Sequence, residues 1–310
     1  MKRIAVTWLV VTVGLVAAGA PDGVVASLEL RWLSCAAFSP DGRYVAVGTN
    51  YAVVLYETEH WRETTRLSFP DANVFSLAFS PDGTRLAVGA MNEVRIWSVA
   101  SWDLVFTIRG SWGMVSAVRF APGNALFVGT ADGALRLWEL GGEASLWKKA
   151  PHTVPVREIV FSPDGSLMAT AGIDRAVLWD TATWEEVASF ADKAWDVAFT
   201  PDGYFLVVGS GKVLRLRDTA VGFLYGELWG HDSCAVAVAV SPDGTLLASG
   251  SLDETARLWD PESGVCVAVL EGHGAVLAEV AFSPDGSLLL TASDNGMVWV
   301  WDVASLVSGP

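Results

Sequence analysis

Histidine and cysteine are scarce in this 310-residue chain, with four of the first and three of the second. Cys35, Cys234 and Cys266 are odd in number and stand at no metal-ligand spacing, which excludes a disulfide framework and a paired-cysteine metal site. They read as small apolar fillers in strands, in keeping with a reducing compartment or with indifference to redox state. Basic residues are few as well: 20 Lys and Arg stand against 35 Asp and Glu, for a net charge of −15. Affinity for nucleic acid rests largely on Lys and Arg contacts that release counterions, so nucleic acid is not an expected partner. The sequence has no Gly-rich phosphate loop, no GxSxG elbow, no low-complexity linker and no run of like charge. Those absences point to one domain without a cofactor, and away from an enzyme.

What the chain does have is one short motif, seven times. FSPDG stands at Phe38, Phe79, Phe161 and Phe282, FTPDG at Phe199, VSPDG at Val240 and a worn FAPGN at Phe120. The repeat prolines Pro40, Pro81, Pro122, Pro163, Pro201, Pro242 and Pro284 define repeats 1 to 7 and lie 41, 41, 41, 38, 41 and 42 residues apart. Pro fixes φ and Asp-Gly tolerates the positive φ of a tight hairpin, so each PDG reads as a turn between two strands. In repeat 6, CAVAVAV precedes the turn, and TLLASGS, ARLWD and VCVAVL follow it. Four short strands at a period near forty predict an all-β chain of four-stranded antiparallel propeller blades, seven in number.

The phased motifs resemble the WD-repeat family of β-propellers from about Val24 to Asp302. Trp179-Asp180, Trp259-Asp260 and Trp301-Asp302 match its Trp-Asp, sixteen or seventeen residues after the repeat proline. Trp97-Ser98 and Trp138-Glu139 match in part, while Tyr56 and Arg217 depart from it. Gly230-His231 and Gly272-His273 match its Gly-His, and His152 fills the same slot after Pro151.

The resemblance implies a buried hydrogen-bonded tetrad in three repeats: His152, Thr170, Asp174 and Trp179; His231, Ser249, Asp253 and Trp259; His273, Thr291, Asn295 and Trp301. In each, the carboxylate (or, in repeat 7, the amide) would accept the imidazole N–H, the hydroxyl would bridge, and the indole N–H would be satisfied. A His-Asp-Ser set here is therefore not a hydrolase triad, and His60 alone is left over, in a predicted turn. Repeat 5, with Phe190 in the His slot and Arg217 in the Trp slot, lacks the tetrad and is expected to open first.

The amino terminus stands apart. Met1 to Arg3 is basic, Ile4 to Ala18 is apolar, and Ala18-Gly19-Ala20 has the form of a signal-peptidase site, followed at once by Pro21. Residues 1–20 read as a cleaved signal, an uncleaved anchor or a packed arm, with export or anchoring preferred to a cytoplasmic arm. The propeller takes residues 21–310. After Asp302 too few residues remain for an outer strand, and PDGVVASLEL at Pro21 resembles PESGVCVAVLEG at Pro261. Val24 to Leu28 is therefore expected to complete blade 7 and close the ring, removing exposed strand edges.

For function, the family resemblance implies a non-catalytic, monomeric scaffold that docks a protein or peptide on the loop face and channel mouth, with membrane contact only through residues 1–20. Trp32, Phe75, Met114, Arg157 and Trp195 stand at the predicted entry of first strands and are the candidate contact residues; inter-blade packing is the competing account of each apolar one. The other reading is a propeller enzyme or small-ligand binder with its site in the central channel, for which Arg157 with Glu158 and Lys193 with Asp196 are the candidates. Several carboxylates and basic groups facing one pocket would favour that second reading, and a broad apolar annulus the first.

Overall fold

The computed structural model describes residues 20–308 except 31, 124, 143 and 144. Residues 1–19, with most of the signal-like segment, lie outside the described residues. Strands fill the rest, apart from one short helix, Val303–Val307, capped by the Asp302 carboxylate. All strand pairs are antiparallel and follow one plan. In repeat 4, Glu158–Phe161, Leu167–Gly172, Arg175–Asp180 and Glu185–Phe190 pair in chain order.

Two sheets depart from the simple plan. Leu104–Ala121 is one continuous strand, which pairs through Leu104–Arg109 with Met91–Ser98 and through Val115–Ala121 with Ala125–Thr130. Repeats 2 and 3 thereby share a seven-stranded sheet, where two separate strands were expected. In the last sheet the outermost strand comes from the other end of the chain: Val24–Glu29 pairs with Met297–Asp302, Leu28 opposite Val298, with a bulge between Val24 and Ala26.

The PDG turns show why the motif recurs. Ser80 Oγ donates to Asp82 Oδ1 (2.6 Å) and accepts from Arg85 N–H (2.9 Å), while the same carboxylate oxygen accepts from Thr84 N–H (3.0 Å). This bonding holds the Asp82 carboxyl down at about 2. Equivalent bonds form at Ser39, Ser162, Thr200, Ser241 and Ser283. Gly83 has φ +69°, which a β-carbon would disfavour, and its α-carbon faces the Pro40 ring of the preceding repeat. Gly42 of repeat 1 faces Pro284 of repeat 7 in the same way. First strands also lie side by side: Cys35–Phe38 is beside both Ser76–Phe79 and Leu277–Phe282.

The core lies between sheets. Second and third strands are buried on both faces, as in Leu167–Gly172 and Arg175–Asp180, while the fourth, Glu185–Phe190, is largely exposed up to the buried Phe190. Phe127, Met168 and Trp179 share one cluster across repeats 3 and 4. Trp61, Trp102 and Trp184 sit at φ +55°, +57° and +56° in the turns before fourth strands. Each leans on the neighbouring sheet: Trp102 meets Tyr44 edge-on at 5.5 Å and Trp184 meets Phe127 at 4.9 Å. Such aromatic pairs contribute about 0.5–1.5 kcal/mol beyond area burial.

Candidate functional site at the cavity of the first strands

In repeat 4, His152 Nδ1 lies 2.9 Å from Asp174 Oδ1, its Nε2 3.0 Å from Thr170 Oγ1, and Trp179 Nε1 3.1 Å from the same hydroxyl. The carboxylate can only accept, so Nδ1 carries the proton. Nε2 then accepts from the hydroxyl, whose oxygen accepts the indole N–H. Repeat 6 has the same arrangement, with 2.8 Å from His231 to Asp253, 2.7 Å to Ser249 and 2.8 Å from Trp259 to Ser249. Burial pushes both imidazoles below their ordinary value, against the pull of the carboxylates. These groups are spent on structure.

Repeat 7 differs from the expected tetrad. His273 Nε2 and Trp301 Nε1 each reach Thr291 Oγ1 at 2.8 Å, but Asn295 turns away from the ring. Its amide donates to the His273 backbone carbonyl (2.9 Å), and its oxygen accepts from Ser293 Oγ and Met297 N–H. His273 Nδ1 is left buried without a partner, and burial alone carries the ring down to about 4. An amide has a donor to place, and the nearest acceptor is the backbone carbonyl; a carboxylate has none.

Repeat 5 has its own substitute for the missing tetrad. Asp192, buried, accepts from Arg215 Nη1 (2.9 Å) and from Arg217 Nε and Nη2 (2.9 and 3.0 Å). Arg217, in the Trp slot, stacks on Phe190, in the His slot, at 5.2 Å. Arg215 is also bonded to Ser210 and Glu227. A cluster of ion pairs stands where the tetrad is missing, so the absence of the tetrad alone no longer argues that this repeat opens first.

The first strands surround a cavity of about 650 Å³. Phe75, Met114, Arg157 and Trp195 line it, and the Arg157 guanidinium lies 4.5 Å over the Trp195 ring. Trp32 is not among the lining residues; it is 63% exposed beyond the start of its strand. Within the cavity stand three carboxyls, Glu158, Asp196 and Glu279, with Arg119. Arg119 Nη2 pairs with Glu158 Oε1 (2.9 Å) and its Nε donates to the Ile159 carbonyl (2.7 Å). Asp196 accepts from Val197 N–H and, across to repeat 6, from Val238 N–H, both at 2.7 Å. Glu279 accepts from Ala36 N–H of repeat 1. Lys193 is not among the lining residues.

The WD domain, G-beta repeat profile matches residues 61–98, 102–139, 145–180, 184–218, 222–260 and 264–302. The chain belongs to the WD-repeat family. Except for 102–139, which lies within the seven-stranded sheet, each matched WD repeat begins with the outermost strand of one sheet and ends with the third strand of the next, so it ties two sheets together. Among curated relatives, the chain is 38% identical over 81 residues to the zebrafish intraflagellar transport protein 122 homolog, covering 25% of this chain and 7% of the relative. It is 32% identical over 121 residues to the small ribosomal subunit protein RACK1 of Schizosaccharomyces pombe, covering 35% and 38%. It is 30% identical over 128 residues to zebrafish WD repeat-containing protein 18, covering 35% and 30%. The matched stretches thus span well under two thirds of these relatives.

Arg119 and Glu279 escaped the sequence reading, although the repeat phase carried a signal for one of them. Five residues before the repeat proline stand Cys35, Ser76, Ala117, Glu158, Asp196, Ala237 and Glu279. Three acidic residues at a phase otherwise filled by small side chains mark the wall of one cavity. Arg119 stands two residues further on in repeat 3, where the other repeats carry Ala or Val.

Proposed function

We propose that this WD-repeat chain forms a seven-bladed ring and serves as a non-catalytic scaffold, docking a protein or peptide at the mouth of the first-strand cavity. Two contacts support the ring: Gly42 faces Pro284, and Val24–Glu29 forms the outer strand of the last sheet. The observation that carries the docking reading is the mouth itself. Phe75, Met114, Arg157 and Trp195 line one cavity from consecutive first strands, and Trp32 projects nearby with most of its surface in solvent. Aromatic and Arg side chains in such positions dominate interfaces, where truncating an anchor costs about 2 kcal/mol or more. Residues 1–20 would serve export or anchoring, which intact mass of the mature chain together with cell fractionation would test.

The test replaces Trp32 and Trp195, singly, by Ser. Each variant is expected to lose a partner that the native chain captures from its own cell while the melting temperature stays nearly unchanged. If both substitutions lower the melting temperature by several degrees, or leave every captured partner bound, the residues pack the fold and the docking reading fails. The second reading, a propeller enzyme or small-ligand binder with its site in the central channel, draws support from the carboxyls and basic groups that face one cavity: Arg119, Arg157, Glu158, Asp196 and Glu279. It predicts that Arg119→Ala abolishes binding while Trp32→Ser does not.

A further inference from the structure

The cavity wall carries more acid than its cations can neutralise. Arg119 is committed to Glu158, and Arg157 lies over Trp195 at the mouth. Among the described residues, no Lys, Arg or His nitrogen stands within ion-pair distance of Asp196 or Glu279. Their oxygens are held by backbone N–H groups of the next sheet, Val238 for Asp196 and Ala36 for Glu279. The three carboxyls therefore line one cavity with only Arg119 and Arg157 as cations, and like charges that share a site do not all ionise at once.

We propose that Glu158, Asp196 and Glu279 form a shared proton store in the central cavity that reverses the cavity's net charge across neutral pH and transmits the change to Arg157 and Trp195 at its mouth. With the three carboxyls protonated, the two guanidiniums leave the wall positive; with all three ionised it is negative. The titrating partners can be named element by element. The first strand of repeat 3 contributes Arg119, repeat 4 Arg157 and Glu158, repeat 5 Asp196, repeat 7 Glu279 and repeat 1 the Cys35 thiol, while repeats 2 and 6 present no charged side chain to the wall. Burial and the Glu158 charge push Asp196 up to about 8. Burial, then Asp196 and Glu158, carry Glu279 well above the carboxylate range, and burial raises Glu158 against Arg119. Cys35, pushed up to about 12, stays a thiol throughout. Asp196 is the natural transmitter, because it follows Trp195 in the chain and its charge acts on Arg157.

The switch concerns the cavity itself and does not depend on a partner docking there. Its first test is carboxyl NMR of the full chain with ¹³C-labelled Asp and Glu, titrated through the neutral range. One Asp resonance is expected to titrate near pH 8 and to vanish in Asp196→Asn, and the Glu279 midpoint should fall in that variant because a negative neighbour is gone. A merely structural role for Asp196 would not move Glu279. The second readout is ¹⁹F NMR of fluorotryptophan-labelled protein, with Trp195 assigned by Trp195→Phe: its resonance should shift with the same midpoint as Asp196.

A third readout is stability, which does not require the Asp196 variant to fold. The folded value of Asp196 exceeds its ordinary 3.8, so the native chain binds more protons than the unfolded one between about pH 4 and about pH 8. The Asp196 contribution to stability should fall as pH rises through that window, opposing the rise His273 contributes from about pH 4 to about 6.5, so the denaturation midpoint is expected to decline between about pH 6.5 and about 8; Glu279→Gln, which removes one repelling charge, should flatten that decline. Carboxyl resonances that all titrate in the ordinary acidic range, or a Trp195 signal indifferent to pH, would overturn the proposal.

Discussion

Replacing Asn295 by Asp should complete the tetrad of repeat 7, and the size of the effect can be worked from its neighbours. In repeats 4 and 6 the carboxylate accepts from the imidazole Nδ1–H and from the backbone N–H of the residue after the histidine, Thr153 at 2.8 Å and Asp232 at 2.9 Å. In repeat 7 the residue after the histidine is Gly274, so an aspartate at 295 has the same donor on offer, while His273 Nδ1 is at present buried and unpaired. An unsatisfied buried polar group costs about 1–3 kcal/mol, and a hydrogen bond to a charged group contributes about 1.5–3 kcal/mol once the ring carries its proton on Nδ1. Against that gain stand the lost bond from Asn295 to the His273 carbonyl and the cost of burying a charge. A net stabilisation of about 1–2 kcal/mol remains, or roughly 2–4 °C in melting temperature per kcal/mol for a domain of 150–250 residues and less for a larger one.

The pH dependence sharpens the test. His273 now sits at about 4, below the ordinary 6.5, so the unfolded chain binds the extra proton first and stability falls as pH drops from about 6.5 to about 4. A carboxylate beside the ring should raise the His273 value and shrink that loss. Calorimetry in both forms, with imidazole NMR to follow His273, reads both effects. A variant that melts lower than the native chain, or an unchanged His273 titration, would refute the account of Asn295.

Two further outcomes follow from the same geometry. Asp192→Ala should destabilise the chain by about 3 kcal/mol or more in denaturant unfolding, because Arg215 and Arg217 would be left partly buried around an empty anion site; a loss within about 0.5 kcal/mol would mean the cluster is solvated and gives repeat 5 no support. Deleting Pro21–Leu30 strips Met297–Asp302 of its outer strand and bares an edge, so the shortened chain should aggregate or unfold, and a soluble product of native thermal stability would contradict the pairing.

Much of this arrangement was readable because each WD repeat solves the same local problem with the same atoms. The PDG turns and the four-strand plan follow from the repeat period, and the meeting of His152, Thr170, Asp174 and Trp179 from the family resemblance. Reading failed where side-chain chemistry decides between two bonds within one turn. Asn and Asp have nearly the same shape, so the family resemblance places Asn295 against the His273 ring, yet its amide donor goes to the backbone. Repeat 5 hides its support for a related reason: Phe190 and Arg217 do depart from the expected residue types, whereas their partner Asp192 stands at a position the motif does not specify. The shared strand Leu104–Ala121 left a local trace only in Gly110-Ser111-Trp112-Gly113, which replaces the polar link found between the other repeats.

The repeat phase also separates what the fold needs from what this chain adds. Wherever repeats agree, the agreement is explained by packing or by turn bonding, as with Ser39, Ser80 and Ser162 before their prolines. Where they diverge on first strands, packing offers no reason. Five residues before the proline Ala117 and Ala237 suffice, so ionisable side chains at Glu158, Asp196 and Glu279 are a burden on the fold: burial disfavours their charged forms, and among the described residues Glu158 alone of the three has a cation within ion-pair distance. One residue earlier the same repeats carry Arg157, Trp195 and Ala278, so the charged wall and the stacked mouth diverge together in repeats 4 and 5. The divergence, at Arg119, Arg157, Glu158, Trp195, Asp196 and Glu279, falls on first strands that line one cavity, whereas the tetrads of repeats 4 and 6 repeat the same bonds.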